Sequence, residues 1–349
     1  MMKYTEKYFQ DVDEVLACVP GVEQLYGSSI LITGATGMIC STVVDLLLRL
    51  NRRDNAGIKI IAAGRSRERL YARFEGFTEN DGLLYEPYDA TELSRVDFSG
   101  DVDYVIHGAS NANPAIYMKE PVETILANVT GLNAMLDFAV RRKVKRLLYI
   151  SSSEVYGQNS TTDPYEENAY GFVDILSQRA GYPCSKRTGE SLCVAYGMEH
   201  GLDTVMVRPG HIYGPSITKS DNRASAEFTV KALAGEDIVM KSKGTQLRSY
   251  CHTLDCASAI LAVLLKGEAG QAYNISNPDS ICTIADIAEA LAKAAGTEVR
   301  FSEATDAEKK SYNPATNSSL RSDKLEALGW KACFPLERGA KQTLDTLRG

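Results

Sequence analysis

No stretch of this 349-residue chain is long and apolar enough to span a bilayer, and residues 1–26 lack both the basic start and the apolar run of a signal peptide. The expectation is a cytoplasmic protein. The eight cysteines contain no Cys-x-x-Cys pair and the four histidines show no ligand spacing. A zinc site is therefore not expected, and the cysteines read as reduced, buried thiols. Positive charge is in deficit: 38 Lys and Arg stand against 45 Asp and Glu, a net charge of -7. Neither nucleic acid nor an anionic membrane would be held by bulk charge, so any phosphate must find a local site. Internal repeats and low-complexity segments are also missing.

What is present suffices for a globular core. Hydrophobic residues make up 44% of the chain and charged residues 24%, and the length favours two domains or one large α/β domain with a lobe. Residues 1–26 read as a short polar and acidic extension, helical around Val12 to Val19 and ended by Pro20-Gly21, with no chemistry of its own. Ser29 to Thr33 is a short apolar, β-branched run. Gly34-Ala-Thr36-Gly37-Met38-Ile39-Cys40 follows, and then an amphipathic stretch to about Leu50. Strand, glycine turn and helix is the arrangement that brings backbone N–H groups and a helix N-terminus against a pyrophosphate. Cys40 stands where the usual fingerprint has its third glycine.

Ile58 to Ala63 is the expected second strand, ending in Gly64-Arg65-Ser66-Arg67. An acidic residue at this strand end would bind the ribose 2'-hydroxyl of NAD; none is present, and Arg65 would instead face the 2'-phosphate of NADP. Further strands are expected at Leu83–Tyr88, Val102–His107, Arg146–Ser151 and Thr204–Arg208, with helical segments between most of them. Alternation of this kind predicts a Rossmann-like, doubly wound parallel sheet, which binds ligands at the carboxyl ends of its strands. Asp89, His107 to Ser110 and Ser151 to Glu154 all fall at such ends. From about Gly214 the rhythm changes to that of a smaller lobe, with Thr283 as the N-cap of a helix over Ile284–Ala295.

The rest of the chain is read around Tyr182-Pro-Cys184-Ser-Lys186. Of eighteen tyrosines only Tyr182 has a lysine four residues later, which places phenol and ammonium on one helix face. A cation beside a phenol favours the phenolate and moves it toward the range where it takes a proton from an alcohol. Cys184, with no base nearby in sequence, is read as helix packing.

In this order, Thr33-Gly34-x-x-Gly37, Tyr182-x-x-x-Lys186, Arg208-Pro-Gly-His211-Ile-Tyr213-Gly-Pro215, Tyr273-Asn-Ile-Ser-Asn-Pro278 and Leu328-Gly-Trp330 resemble the extended short-chain dehydrogenase/reductase family. The resemblance is to its NAD-dependent epimerase/dehydratase branch, which acts on nucleotide sugars. His107 to Met118, Asn128-Val-Thr-Gly131 and Arg179 to Arg187 look most like UDP-glucuronate decarboxylases and dTDP-glucose 4,6-dehydratases. Ser152-Ser153-Glu154 is similar to the Thr-Ser-Glu segment of the decarboxylases and of GDP-mannose 4,6-dehydratases.

The resemblance implies a Rossmann domain over residues 27–213 and, over 214–349, a substrate-binding lobe from which some segments return to that domain. It implies a homodimer and a cofactor, NAD by family and NADP by Arg65, with no metal. The implied catalytic set is Tyr182 as base, Lys186 holding the phenolate and the nicotinamide ribose, Ser152 on the reacting sugar oxygen, and Glu154 as the base for a C5 proton. Gly34, Thr36, Gly37, Met38, Ile39, Arg65, Asp89, Ala109 and Asn128 complete the cofactor site. Ser110, Ser153, Arg179, Arg223, Arg248 and Tyr213 form the substrate site, with Arg248 on the diphosphate. Decarboxylation leads the readings, followed by 4,6-dehydration or epimerisation. An NADP-dependent reductase and a cofactor-binding regulator without turnover are the readings from other classes.

Overall fold

The computed structural model describes residues 2–92, 96–159, 161–218, 221–302 and 315–349. Seven strands form a wholly parallel sheet: β1 (Ser29–Thr33), β2 (Lys59–Gly64), β3 (Leu83–Pro87), β4 (Tyr104–His107), β5 (Arg146–Ile150), β6 (Thr204–Pro209) and β10 (Ala272–Ile275). Their spatial order is β10-β6-β5-β4-β1-β2-β3. The order reverses between β1 and β4, where Thr33 lies opposite His107, so the crevice that such sheets offer to a ligand opens beyond those two residues. Ile30, Leu31, Ile32, Val105, Ile106, Leu147 and Leu148 are fully buried, as expected of strands covered on both faces.

Two helical layers provide that cover. On one face lie α2 (Met38–Asp54) and α9 (Thr253–Lys266). α9 has almost no polar surface to offer water and is buried on nearly every side, with Ile260, Leu261 and Val263 inaccessible; at about 1.5–3 kcal/mol for each such side chain, it anchors this layer. On the other face lie α6 (Leu132–Arg141) and α7 (Gly181–His200), which pack Met135, Phe138 and Cys193 toward β4 and β5.

The smaller part of the chain has its own core. β7 (His211–Tyr213), β9 (Leu247–His252) and β11 (Ile281–Thr283) share a small sheet, and β8 (Ile238–Met240) pairs with β12 (Val299–Phe301). Beneath them α8 (Ala224–Leu233), α10 (Ile284–Ala295) and the C-terminal helix Leu336–Arg348 bring together Phe228, Ile287, Leu291 and Leu344. Thr283 and Asp286 cap α10 reciprocally, as its sequence predicts.

The N-terminal segment departs from expectation. Its helix, α1 (Glu6–Ala17), starts six residues before Val12, because the Thr5 side chain accepts the Tyr8 N–H and caps it. Tyr8, Val12, Val15 and Leu16 are buried against α2 and α9, so this segment is part of the core and not a polar extension. Asp45 of α2, fully buried, accepts the Tyr4 and Tyr8 hydroxyls and pairs with Arg73, which satisfies the charge from three directions. No helix among the described residues is long and apolar enough to cross a membrane.

Candidate active site

At the end of β1 the chain turns through Gly34, whose φ of +68° favours glycine; a Cβ there would sit 2.9 Å from the Gly108 carbonyl oxygen. The Thr33 hydroxyl accepts the N–H groups of Gly108 (3.1 Å) and Ala109 (3.2 Å) and meets His107 Nδ1 at 3.0 Å. The ends of β1 and β4 are thereby fixed together. Burial, with the Lys186 charge adding to it, depresses His107 to about 3, so its imidazole is neutral. Gly37 is the N-cap of α2 and contributes no side-chain cap, which leaves the N–H groups of the first turn for an anionic ligand. Thr36, Met38 and Ile39 lie half-buried around the turn.

Cys40, at the position of the third glycine, is accommodated by a second glycine. A Cβ on Gly108 would collide with Cys40 Sγ, so the sulfur fills space that the neighbouring strand end leaves empty. Burial pushes the Cys40 thiol up to about 12, which keeps it protonated and unreactive. Gly108→Ala is expected to cost about 1–3 kcal/mol through overpacking. The double variant Cys40→Gly/Gly108→Ala should recover most of that loss in a denaturation experiment; additive losses would contradict the pairing.

The remaining residues assigned to the cofactor have varied settings. Arg65, just past β2, is exposed. Asp89 accepts the N–H and hydroxyl of Thr91 and so closes a turn at the sheet rim. Asn128 falls in a π-helical turn, Ala127–Gly131, where the wider spiral presents its side chain to α7. Its Nδ2 donates to Ser185 Oγ at 3.0 Å, and that hydroxyl donates to the Tyr182 carbonyl at 2.9 Å. Asn128 Oδ1, Ser110 Oγ, Ser151 Oγ and His107 Nε2 are buried and have no hydrogen-bond partner among the described residues. A backbone cradle that excludes any Cβ, an uncapped helix start and this group of unpartnered polar atoms fit a bound dinucleotide.

Tyr182 and Lys186 lie in the first turns of α7, 5% and 2% exposed. Lys186 Nζ donates to the Ile150 carbonyl at 2.8 Å and stands 4.6 Å from the Tyr149 ring centroid and 5.9 Å from that of Tyr182. Here the electrostatics differ from the simple expectation of a lowered phenol. Burial is the largest influence on Tyr182 and raises it, the Glu154 charge adds to the rise, and a Ser152 hydrogen bond and the Arg223 guanidinium act against it. Burial likewise depresses Lys186 to about 7. Desolvation thus favours the neutral phenol and the neutral amine of this pair.

Ser152 caps a short 3-10 turn, Ser153–Tyr156, by accepting the Glu154 N–H at 3.2 Å. Ser153 opens that turn and is half-buried. The turn aims Glu154 at Tyr117, a residue that the motifs do not single out. Tyr117 lies on α4 (Pro114–Lys119), the first helix after β4, started by the Asn113 cap and Pro114. Its ring stacks on Tyr182, with centroids 4.9 Å apart and planes within 8°. Its hydroxyl donates to Glu154 Oε1 (3.4 Å) and accepts from Arg179 Nη2 (2.7 Å), and Arg179 itself stands 3.7 Å from Glu154. Burial raises the Glu154 carboxyl above its usual range, and Arg179 and the Tyr117 hydroxyl only partly offset it.

Arg223, just before α8, reaches the start of α2. Held by Asp221, it reaches Met38 Sδ at 2.7 Å, and its charge is felt at Tyr182 and His211. Arg248 of β9 is buried, donates to the Leu247 and Ala315 carbonyls, and acts with Arg223 on His211. Tyr213 is not brought to this group. Its hydroxyl lies against Gly339, which has no Cβ to obstruct it, and donates to the Leu336 carbonyl in the core of the smaller part. That contact corrects its assignment to the substrate set.

Comparison with known proteins bears on the family and the fold. The profile of the NAD dependent epimerase/dehydratase family matches residues 30–276. The chain is 30% identical over 321 residues to UDP-glucuronic acid decarboxylase 1 of Xenopus tropicalis, covering 91% of this chain and 72% of that protein. It is 31% identical over 317 residues to UDP-glucuronic acid decarboxylase 6 of Arabidopsis thaliana, covering 89% and 86%. The fold is shared with the dTDP-glucose 4,6-dehydratase DesIV of Streptomyces venezuelae, solved with NAD bound (TM-score 0.76, 24% identity, 92% and 97% covered).

Proposed function

Because this chain belongs to the NAD-dependent epimerase/dehydratase family of extended short-chain dehydrogenase/reductases, we propose that it oxidises a nucleotide sugar at C4 and then decarboxylates it. The observation that carries this reading is the grouping of Ser152, Tyr182 and Lys186 with Glu154, Tyr117 and Arg179 around one cleft. Tyr182 takes the proton of the C4 hydroxyl, and Ser152 hydrogen-bonds the same oxygen as it becomes a ketone. Lys186, fixed by the Ile150 carbonyl, supplies positive charge close to the phenol. A bound oxidised nicotinamide supplies the acceptor for the C4 hydrogen and further positive charge. Gly34, Gly37 and the start of α2 would hold its pyrophosphate. With a carboxylate at C5, the C4 ketone makes a β-keto acid that loses carbon dioxide without a base, and Arg179 is a cation available to such a carboxylate.

The second reading is 4,6-dehydration, favoured by the raised pKa of Glu154, which suits a group that must first remove a C5 proton and then return one. Arg65 and the missing acid after β2 favour NADP, whereas NAD accompanies the DesIV structure. α5 (Pro121–Leu126) and α7 pack side by side and leave Val122 (61%), Ile125, Leu126, Val194 and Met198 (85%) exposed. We propose a second copy of this chain as the partner that covers them.

The test is mass spectrometry of UDP-glucuronate, dTDP-glucose and GDP-mannose incubated separately with the protein and each cofactor. Loss of carbon dioxide supports the decarboxylase and loss of water the dehydratase. No mass change in any tube would remove both readings.

A further inference from the structure

The two ends of the chain meet along one antiparallel seam. Lys3 Nζ donates to the Arg348 carbonyl at 3.1 Å, Gln342 Nε2 to Asp11 Oδ2 at 3.2 Å, and Arg338 Nη1 to Glu14 Oε1 at 2.6 Å. The next pair in this series is Cys18 and Cys333, whose Sγ atoms lie 3.2 Å apart. Numbers rise along α1 as they fall along the C-terminal helix, so the thiol contact is one rung of an extended match between two segments.

Both sulfurs stand on fixed backbone. Cys18 is the C-cap of α1, and its N–H bonds the Val15 and Leu16 carbonyls. The N–H groups of Cys333 and Phe334 donate to the two carboxylate oxygens of Asp255 at 2.8 and 3.0 Å, and the Cys333 carbonyl accepts from Arg338 Nη1 at 3.0 Å. Each thiol is half-buried, within reach of a small reagent. Bringing the sulfurs from 3.2 Å to a bond of about 2.05 Å requires a relative approach of about 1.2 Å.

We propose that Cys18 and Cys333 are a redox-active dithiol that a small disulfide of the glutathione class closes to an intramolecular disulfide. One cysteine thiolate attacks a sulfur of the reagent and expels its other half as a thiolate. The second cysteine then attacks the protein sulfur of the mixed disulfide and expels the remaining half. Two protein thiols lose two electrons in total, one reagent disulfide gains them, and the two protein protons pass to the two departing thiolates. Burial, then the bond to Cys18 and the charges of Asp255 and Glu14, hold the Cys333 thiol above its ordinary range. Exchange is correspondingly slow, and the reaction must be read at equilibrium. The bond would fasten the end of α1 to the Cys333–Phe334 segment, which precedes the C-terminal helix and is held by Asp255 of α9.

The test equilibrates the full-length protein in anaerobic glutathione buffers of graded reduced-to-oxidised ratio, followed by acid quenching, thiol alkylation and peptide mass spectrometry. The expected result is a peptide pair joined through Cys18 and Cys333, two hydrogens lighter than the separate thiol peptides. A thermal midpoint several degrees higher than that of the reduced protein should accompany it. Cys18→Ser and Cys333→Ser should each keep the reduced midpoint and lose both the cross-link and the rise. Glutathione adducts without the cross-link, a cross-link to another cysteine, or a joined species with an unchanged or lower midpoint would overturn the proposal.

Discussion

Tyr182→Phe is expected to lower turnover by about 10³-fold, or about 4 kcal/mol of transition-state stabilisation, while the thermal midpoint stays close to that of the unaltered protein. The substitution removes one oxygen and little else. The phenyl ring keeps its place in α7 and its stack on Tyr117, and Ser152 still accepts the Glu154 N–H that shapes the 3-10 turn. The Asn128–Ser185 bond reaches the Tyr182 carbonyl and not its hydroxyl, so the tie between the π-helical turn and α7 also survives. Dinucleotide affinity, read by fluorescence or calorimetry, should change by no more than a few fold. A variant that retained more than a tenth of the original turnover would show that another group takes the proton, and the Ser152–Tyr182–Lys186 assignment would fall.

Residues that make their own local geometry were legible in the sequence, and those that depend on register between distant segments were not. Gly34 and Gly37 announce a turn because the strand and helix beside them announce themselves. Thr283 and Asp286 carry their cap within four positions. Cys40 stood out as a departure, but its compensation at Gly108 follows only from the pairing of Thr33 with His107 across β1 and β4. Tyr117 is not legible because its helix is a short one of six residues, and its stack on Tyr182 joins separate crossovers of the sheet. Tyr213 was drawn to the site by its motif. Its contact with Gly339 and Leu336 comes from the far end of the chain, and nothing near residue 213 encodes it. The start of the N-terminal helix is not legible because its polar residues dominate composition, while the buried series Tyr8, Val12 and Val15 becomes a face only once Thr5 fixes the start.

Glu154→Gln separates the two chemistries that share this cleft. The amide keeps the volume and can still accept from Tyr117 but cannot act as a base. If the enzyme removes a C5 proton, turnover should fall by about 10²–10⁴-fold; if carbon dioxide leaves unaided, the loss should be about tenfold or less. The pH profile tells a base from a merely positioned side chain. Burial raises the Glu154 carboxyl above the ordinary carboxylate range, so a required carboxylate would make kcat/KM fall as pH drops through that raised value. Glu154→Gln should abolish this acidic limb, whereas Arg179→Met, which removes the opposing cation, should move it to higher pH. The same shift has a consequence for folding. A carboxyl whose folded pKa is raised binds its proton more tightly in the native state, so its contribution is most favourable at low pH. That contribution is lost as pH rises from the unfolded value through the folded one. Denaturation midpoints across this window should therefore decline less steeply in Glu154→Gln than in the unaltered chain. A variant with full turnover on every substrate, an unchanged acidic limb and an unchanged stability slope would remove Glu154 from the chemistry and from the electrostatics of the cleft.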